Sequence, residues 1–388
     1  MTESKITAPA RSRTAGDAIG HDLPQSESAG PATAFAVRRF HTPGIVHHDD
    51  AGGRVINQMY VERVSRVDPP PSQRIVLVHG TDQTGLCYLQ TPDGRPGWAY
   101  DLAGLGWDVY VVDQIARGRS AYDPTVHGTL TRLPLREVEA LFTGPAAHQR
   151  FPHAFAHTQW PGGPGVHGNP AFDAFAASQV ASLADLALAE DLNTAALGQL
   201  LRRIGPAVLV THSQASVFGF QLCDREPGLV TAHLTIEPNG PPFYDVSHVG
   251  APQWYASRRE TGRPWGLTRR PLQYQPPAEH PDQLHPVLSR GGEAGQFDFW
   301  LQAEPVRSLP RLARTPQAVI TAAASYRTDL DPWTYRYLVQ AGVPAMHYRL
   351  ADYGLDGNGH MMMLEANSSQ IAHLLSRWAL TQAKPGPD

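Results

Sequence analysis

Short β-branched and predominantly apolar runs, separated by amphipathic stretches, set the rhythm of this chain. Arg74–His79 (RIVLVH), Asp108–Asp113 (DVYVVD), Ala207–Thr211 (AVLVT), Val230–Ile236, Gln317–Ala323 and Ala345–Leu350 carry few polar positions. That is the pattern of parallel strands covered by helices on both faces. Helical spacing of apolar residues fills the gaps at Trp98–Leu105, Ala195–Ile204, Val217–Leu222 and Ser368–Leu380. Strands alternating with helices predict an α/β fold with a doubly wound, mostly parallel sheet. In such a sheet ligands bind beyond the carboxyl ends of the strands. Val55–Val64 alternates instead, and is expected to be an antiparallel edge strand.

Two stretches break the alternation, about 122–182 and 238–315, both rich in Pro, Gly, His and aromatics. Loops of that length in a compact domain usually have a function. They are expected to be cap or lid insertions in a single domain spanning 36–388. Trp160, Phe243 and Trp254 within them, with Met361 further on, are candidate walls of a substrate pocket. Residues 1–35, rich in Ser, Thr, Ala, Gly and Pro, read as a disordered leader.

Composition narrows the function. A net charge of −4 offers no basic field for nucleic acid. The first twenty residues lack the apolar core of a signal peptide, and no stretch approaches eighteen consecutive apolar residues. The expectation is a cytoplasmic protein without a membrane span. The two cysteines, Cys87 and Cys223, cannot form a disulfide framework. Oligomeric state is left open, a homodimer included. No phosphate-cradling glycine motif follows a strand, so no nucleotide cofactor is expected. His47–Asp50 (HHDD) and the pair His153 and His157 lack the spaced partners of a metal site.

The chemistry gathers at strand ends. Thr211–Ser216 (THSQAS) follows a buried strand and precedes an apolar helix, which would present the Ser213 hydroxyl on a sharp turn. Thr211 and Ala215 stand where this elbow usually has glycines, and an ordinary helix cap is the bland alternative. His360, in Gly357–Met363 (GNGHMMM), lies between the last strand and the last helix, where the base of a Ser, acid, His order belongs. Glu237 ends one strand and Asp329 and Asp331 follow the next, and a carboxylate in either place could hold the imidazole in its working tautomer. The oxyanion hole would draw on the backbone N–H of Gln214 and of Thr81 or Asp82, after the sharp turn at Gly80. Asp113–Ser120 (DQIARGRS) reads as scaffold and pocket wall.

Seven blocks in order, HGTDQTG, TPDGRPGW, DQIARGRS, HTQWPG, THSQAS, IEPNGPPF and GNGHMMMLEANS, resemble a branch of the α/β-hydrolase superfamily that holds bacterial esterases with a Ser–Glu–His triad. The resemblance runs from about Val55 to the C-terminus. It implies a serine esterase that cleaves an ester or lactone, with Ser213 as nucleophile, Glu237 as acid and His360 as base. It implies no metal and no organic cofactor. An acyltransferase or cyclase on the same three residues, or a non-catalytic ligand-binding protein on the same fold, are the alternatives.

Overall fold

Eight strands form one sheet: β1 (Phe35–His41), β2 (Tyr60–Arg66), β3 (Gln73–Val78), β4 (Trp107–Val112), β5 (Ala207–His212), β6 (Val230–Ile236), β7 (Gln317–Thr321) and β8 (Ala345–Arg349). The computed structural model describes residues 33–48, 52–291 and 297–382. The spatial order is β1-β2-β4-β3-β5-β6-β7-β8. Strands β3 to β8 pair in parallel, whereas β1 on β2 and β2 on β4 are antiparallel. The chain is therefore α/β, with the mostly parallel sheet that the apolar runs predict.

Burial explains why those runs carry so few polar residues. Val76, Val78 and Leu209 share one core with Leu197, Leu200 and Val217, from helices α2 (Leu186–Ile204) and α3 (Ser216–Arg225). The residues between them, Ile75, Leu77, Val208 and Val210, are equally buried. Alternation along a strand turns these to the other face. Helix α4 (Asp331–Gln340) packs on β7 and β8, helices α1 (Trp98–Gly104) and α5 (Ser368–Gln382) pack on each other, and the Trp107 indole donates to Ser376 Oγ of α5. Each buried Val or Leu contributes about 1.5–3 kcal/mol.

Three expected boundaries move. Val55–Val64 is not one edge strand: Arg54–Ile56 pairs with Ile45–His47 in a separate ribbon, and β2 is covered on its outer side by β1. Helix α2 begins at Leu186, well before Ala195, because Asp185 accepts from the Ala187 and Leu188 N–H groups and caps it. The expected leader, 1–35, lies outside the described residues except for its last three, and Phe35 already belongs to β1. Cys87 and Cys223 are both buried free thiols. Among the described residues no helix is long and apolar enough to cross a membrane.

Both irregular segments have structure of their own. The first carries short helices, including Pro170–Ser178, capped by Asn169. The second carries two antiparallel hairpins, Phe243–Gly250 with Trp254–Arg263 and Pro286–Ser289 with Phe299–Gln302.

Candidate active site

Ser213 is the first residue after β5, on a single 3-10 turn that leads into α3. Its φ is +52°, left-handed backbone for a residue with a Cβ. Such a conformation costs about 1–3 kcal/mol and persists only where the surroundings impose it. Here the close approach of Gly80 helps: a Cβ on Gly80 would stand 3.0 Å from the Ser213 Cβ and 2.8 Å from His212 Nδ1. The larger residues at the elbow are absorbed by the core. Thr211 Oγ1 meets His233 Nε2 of β6 at 2.9 Å, and Ala215 is fully buried.

Glu237 directly follows β6 and, like Ser213, has a left-handed φ of +47°. Its Oε2 lies 2.7 Å from His360 Nδ1, with both side chains buried. Its other oxygen accepts from the Ala322 N–H at 2.9 Å, and Ser325 Oγ donates to Oε2. The other two carboxylates are engaged elsewhere. Asp329 meets His153 Nε2 at 3.0 Å and the Tyr255 hydroxyl at 2.8 Å, while Asp331 accepts from Thr321 Oγ1.

Burial pushes the Glu237 carboxyl up to about 7, against the opposing pull of Ser325, Ala322 and Arg327. Burial, then the Arg327 guanidinium, pushes His360 well below the usual imidazole range. The direction that follows for the pair is a neutral imidazole whose Nδ1–H is given to Glu237. Nε2 is then the acceptor, and the Tyr326 hydroxyl lies 3.3 Å from it, beside the Ser213 side chain. Tyr326 stays a neutral phenol, because burial raises its pKa.

The loop holding His360 is anchored by three of the sequence blocks together. Glu365 accepts from Asn358 Nδ2 at 2.7 Å and from the Gly359 N–H at 2.9 Å, and pairs with His157 Nε2 at 2.7 Å. The Thr158 N–H donates to Gly357 O, and Arg95 donates to the carbonyls of Glu365 and Ala366. Gly357 has φ +76°, and a Cβ there would stand 2.1 Å from Thr158 Oγ1. His153 and His157 thus serve different carboxylates. Of His47–Asp50, Asp49 and Asp50 lie outside the described residues.

Ser213, Gln214 and Thr81 line one cavity of about 380 Å³. Both long insertions supply its walls, with Leu133 and Phe142 from the first and Val246 and His248 from the second. Asp82 does not fit the role of second oxyanion donor, because its N–H is already given to Ser182 Oγ at 3.0 Å. Thr81 is left as the candidate. The four expected pocket residues are corrected, since none lines this cavity. Phe243 is packed in the core against Tyr337, Trp160 stacks edge-on against Phe175, Met361 is fully buried, and Trp254 opens a hairpin strand. Asp113–Ser120 forms scaffold but no cavity wall: Asp113 accepts from Gly85 and Arg119, and Arg117 bridges Gly80 O at 2.6 Å and Gln214 Oε1 at 2.5 Å. The sequence reading missed Tyr326 and Arg327. Their signal was a Tyr-Arg pair in the loop after a buried strand, at the sheet edge where ligands bind.

No protein-family model matches the chain. It is 37% identical over 364 residues, 93% of each chain, to a protein from a fungal species (strain ATCC 74256) described as a probable secreted lipase, phiG. Its fold resembles that of a structure described as a novel bacterial esterase, with a TM-score of 0.62 at 20% identity, over 93% of this chain and all of that one.

Proposed function

From the premise that the chain belongs to the esterases and lipases of the α/β-hydrolase superfamily, and hydrolyses ester bonds, we propose that Ser213 is its nucleophile, His360 its base and Glu237 its acid. The observation that carries this reading is the buried Glu237–His360 contact of 2.7 Å beside a serine held in left-handed backbone.

Ser213 Oγ attacks the ester carbonyl carbon while His360 Nε2 takes its proton. The carbonyl oxygen becomes an oxyanion and accepts from the Gln214 and Thr81 N–H groups. The carbon–oxygen bond to the alcohol then breaks, and the alcohol leaves with the proton from His360. Water attacks the acyl-enzyme and gives its proton to His360, which returns it to Ser213 as the acid departs. Through both steps Glu237 fixes the tautomer and stabilises the transient imidazolium. Before substrate binds, the Tyr326 hydroxyl holds Nε2 in orientation. Arg117, by bridging Gly80 and Gln214, fixes the two turns that carry the oxyanion donors.

The insertions at about 122–182 and 238–315 act as the cap of a single domain, and their residues select the substrate. The expected cytoplasmic location finds no support in the fungal relative, which is described as secreted.

A fluorophosphonate probe and a p-nitrophenyl ester test the assignment. Ser213→Ala should abolish labelling and lower turnover at least about 10³-fold. Glu237→Gln should lower kcat roughly 10²–10⁴-fold, with Asp329→Asn close to wild type. Full turnover by Ser213→Ala, or collapse of Asp329→Asn with Glu237→Gln intact, removes the triad proposed.

A further inference from the structure

The chain as a whole is acidic, with a net charge of −4, yet the cavity at Ser213 has the opposite balance. Four arginines line it, Arg150, Arg258, Arg269 and Arg327, against two carboxylates, Glu137 and Asp245. Both carboxylates are already partnered. Glu137 Oε1 is 2.5 Å from Arg150 Nη1, and Asp245 Oδ1 is 2.6 Å from Nη1 of the fully buried Arg263. Two further titratable groups line it: Tyr326, a neutral phenol, and His248, kept neutral because burial and then Arg327 lower its pKa to about 3.

Among the described residues, three guanidinium groups are thus left without an ion-paired carboxylate. Arg327 donates to Gly240 O and Asn239 Oδ1, but its buried Nε has no partner. Among the described residues the Arg258 guanidinium reaches only Ser247 Oγ, at 3.3 Å, from an exposed position on the strand Trp254–Arg263. Arg269 is half-buried. Its backbone N–H donates to Glu190, and among the described residues its guanidinium makes no hydrogen bond. Asp245, Glu190 and Asp185 act on it only as surrounding charges, with Arg263 opposing them.

A cation drawn out of water without a partner is unfavourable, and a planar guanidinium is matched best by a carboxylate or phosphate in bidentate contact. The acyl-enzyme chemistry of a neutral ester has no use for such groups away from the oxyanion hole. Resting on the reading of Ser213 as nucleophile, we propose that the substrate is an ester carrying an ionised carboxylate away from the scissile bond, held by Arg269 inside the cavity and Arg258 at its rim.

The test compares the methyl half-ester and the dimethyl ester of the same aliphatic diacid, over a series of chain lengths, with acid release followed by titration. At the best chain length the wild-type enzyme should prefer the half-ester in kcat/KM by about tenfold or more. Arg269→Gln should reduce that ratio by roughly 10- to 100-fold, Arg269→Lys by less, and Arg258→Gln, on an exposed side chain, in the same direction. A wild-type enzyme that prefers the dimethyl ester at every length, or a ratio unmoved in both glutamine variants, overturns the proposal. Fluorophosphonate labelling of Ser213 separates the two readings. Labelled enzyme without half-ester preference defeats the anion site alone, and unlabelled enzyme that turns over neither ester defeats the nucleophile as well.

Discussion

At the scale of single residues, the site depends on how one cation acts on a buried pair. Arg327 faces both Glu237 and His360, and also acts on Tyr326, Asp331, His212, His248 and Asp245. A nearby positive charge disfavours imidazolium and favours carboxylate, so it lowers both members of the pair. The pair binds its proton as a unit. In the triad proposed, catalysis needs the neutral imidazole with an ionised Glu237, so activity should be present above the pair's apparent pKa and lost as pH falls through it. Removing the cation raises that value wherever the proton resides. Arg327→Gln should therefore move the acid limb of kcat/KM to higher pH, with Arg327→Lys close to wild type. A pH–rate profile showing an unmoved or lower limb would contradict the electrostatic role given to Arg327.

Among the elements, the most informative is the segment between β8 and α5, which passes through a 3-10 turn at Leu350–Tyr353 and then carries His360 on irregular backbone. It is held by Glu365, whose carboxylate takes the Asn358 amide, the Gly359 N–H and the His157 ring. Each buried donor orphaned by its loss costs about 1–3 kcal/mol. Glu365→Ala should lower stability to urea by several of these increments. It should also lower kcat more than it changes KM, because His360, the base proposed, is displaced while the cavity walls stay. Glu365→Gln, which keeps an acceptor oxygen, should recover part of both losses. An alanine variant with normal kcat would show that the loop needs no such anchor.

For the whole molecule, the sheet and the site are separable. Leu209 lies mid-strand in β5, fully buried, beside Val76 on β3 and His233 on β6. Leu209→Ala should cost about 2–5 kcal/mol, through lost burial and the cavity it leaves. The kcat of the protein that remains folded should stay near wild type, since the deleted methyls lie four positions before Ser213 and inside the core. Urea unfolding and active-site titration on the same sample check this, and a large fall in kcat per labelled serine would show that core and elbow are mechanically coupled.

The amino-acid sequence by itself determined the sheet, because strands buried on both faces must be apolar, as in Arg74–His79 and Ala207–Thr211. It also placed Ser213, Glu237 and His360 at strand ends, since the order of elements puts those ends on one edge. It could not choose Glu237 over Asp329 or Asp331 from spacing, because all three follow strands and only the packing shows which carboxylate meets the imidazole. It misjudged the pocket for a related reason. Phe243, Trp160 and Met361 are apolar enough for either core or cavity, and side-chain direction in an irregular segment follows no period. The arginines that line the cavity are scattered from Arg150 to Arg327, and no local pattern marks them. Tertiary structure alone decided that a chain of net negative charge would bring these cations together around its serine.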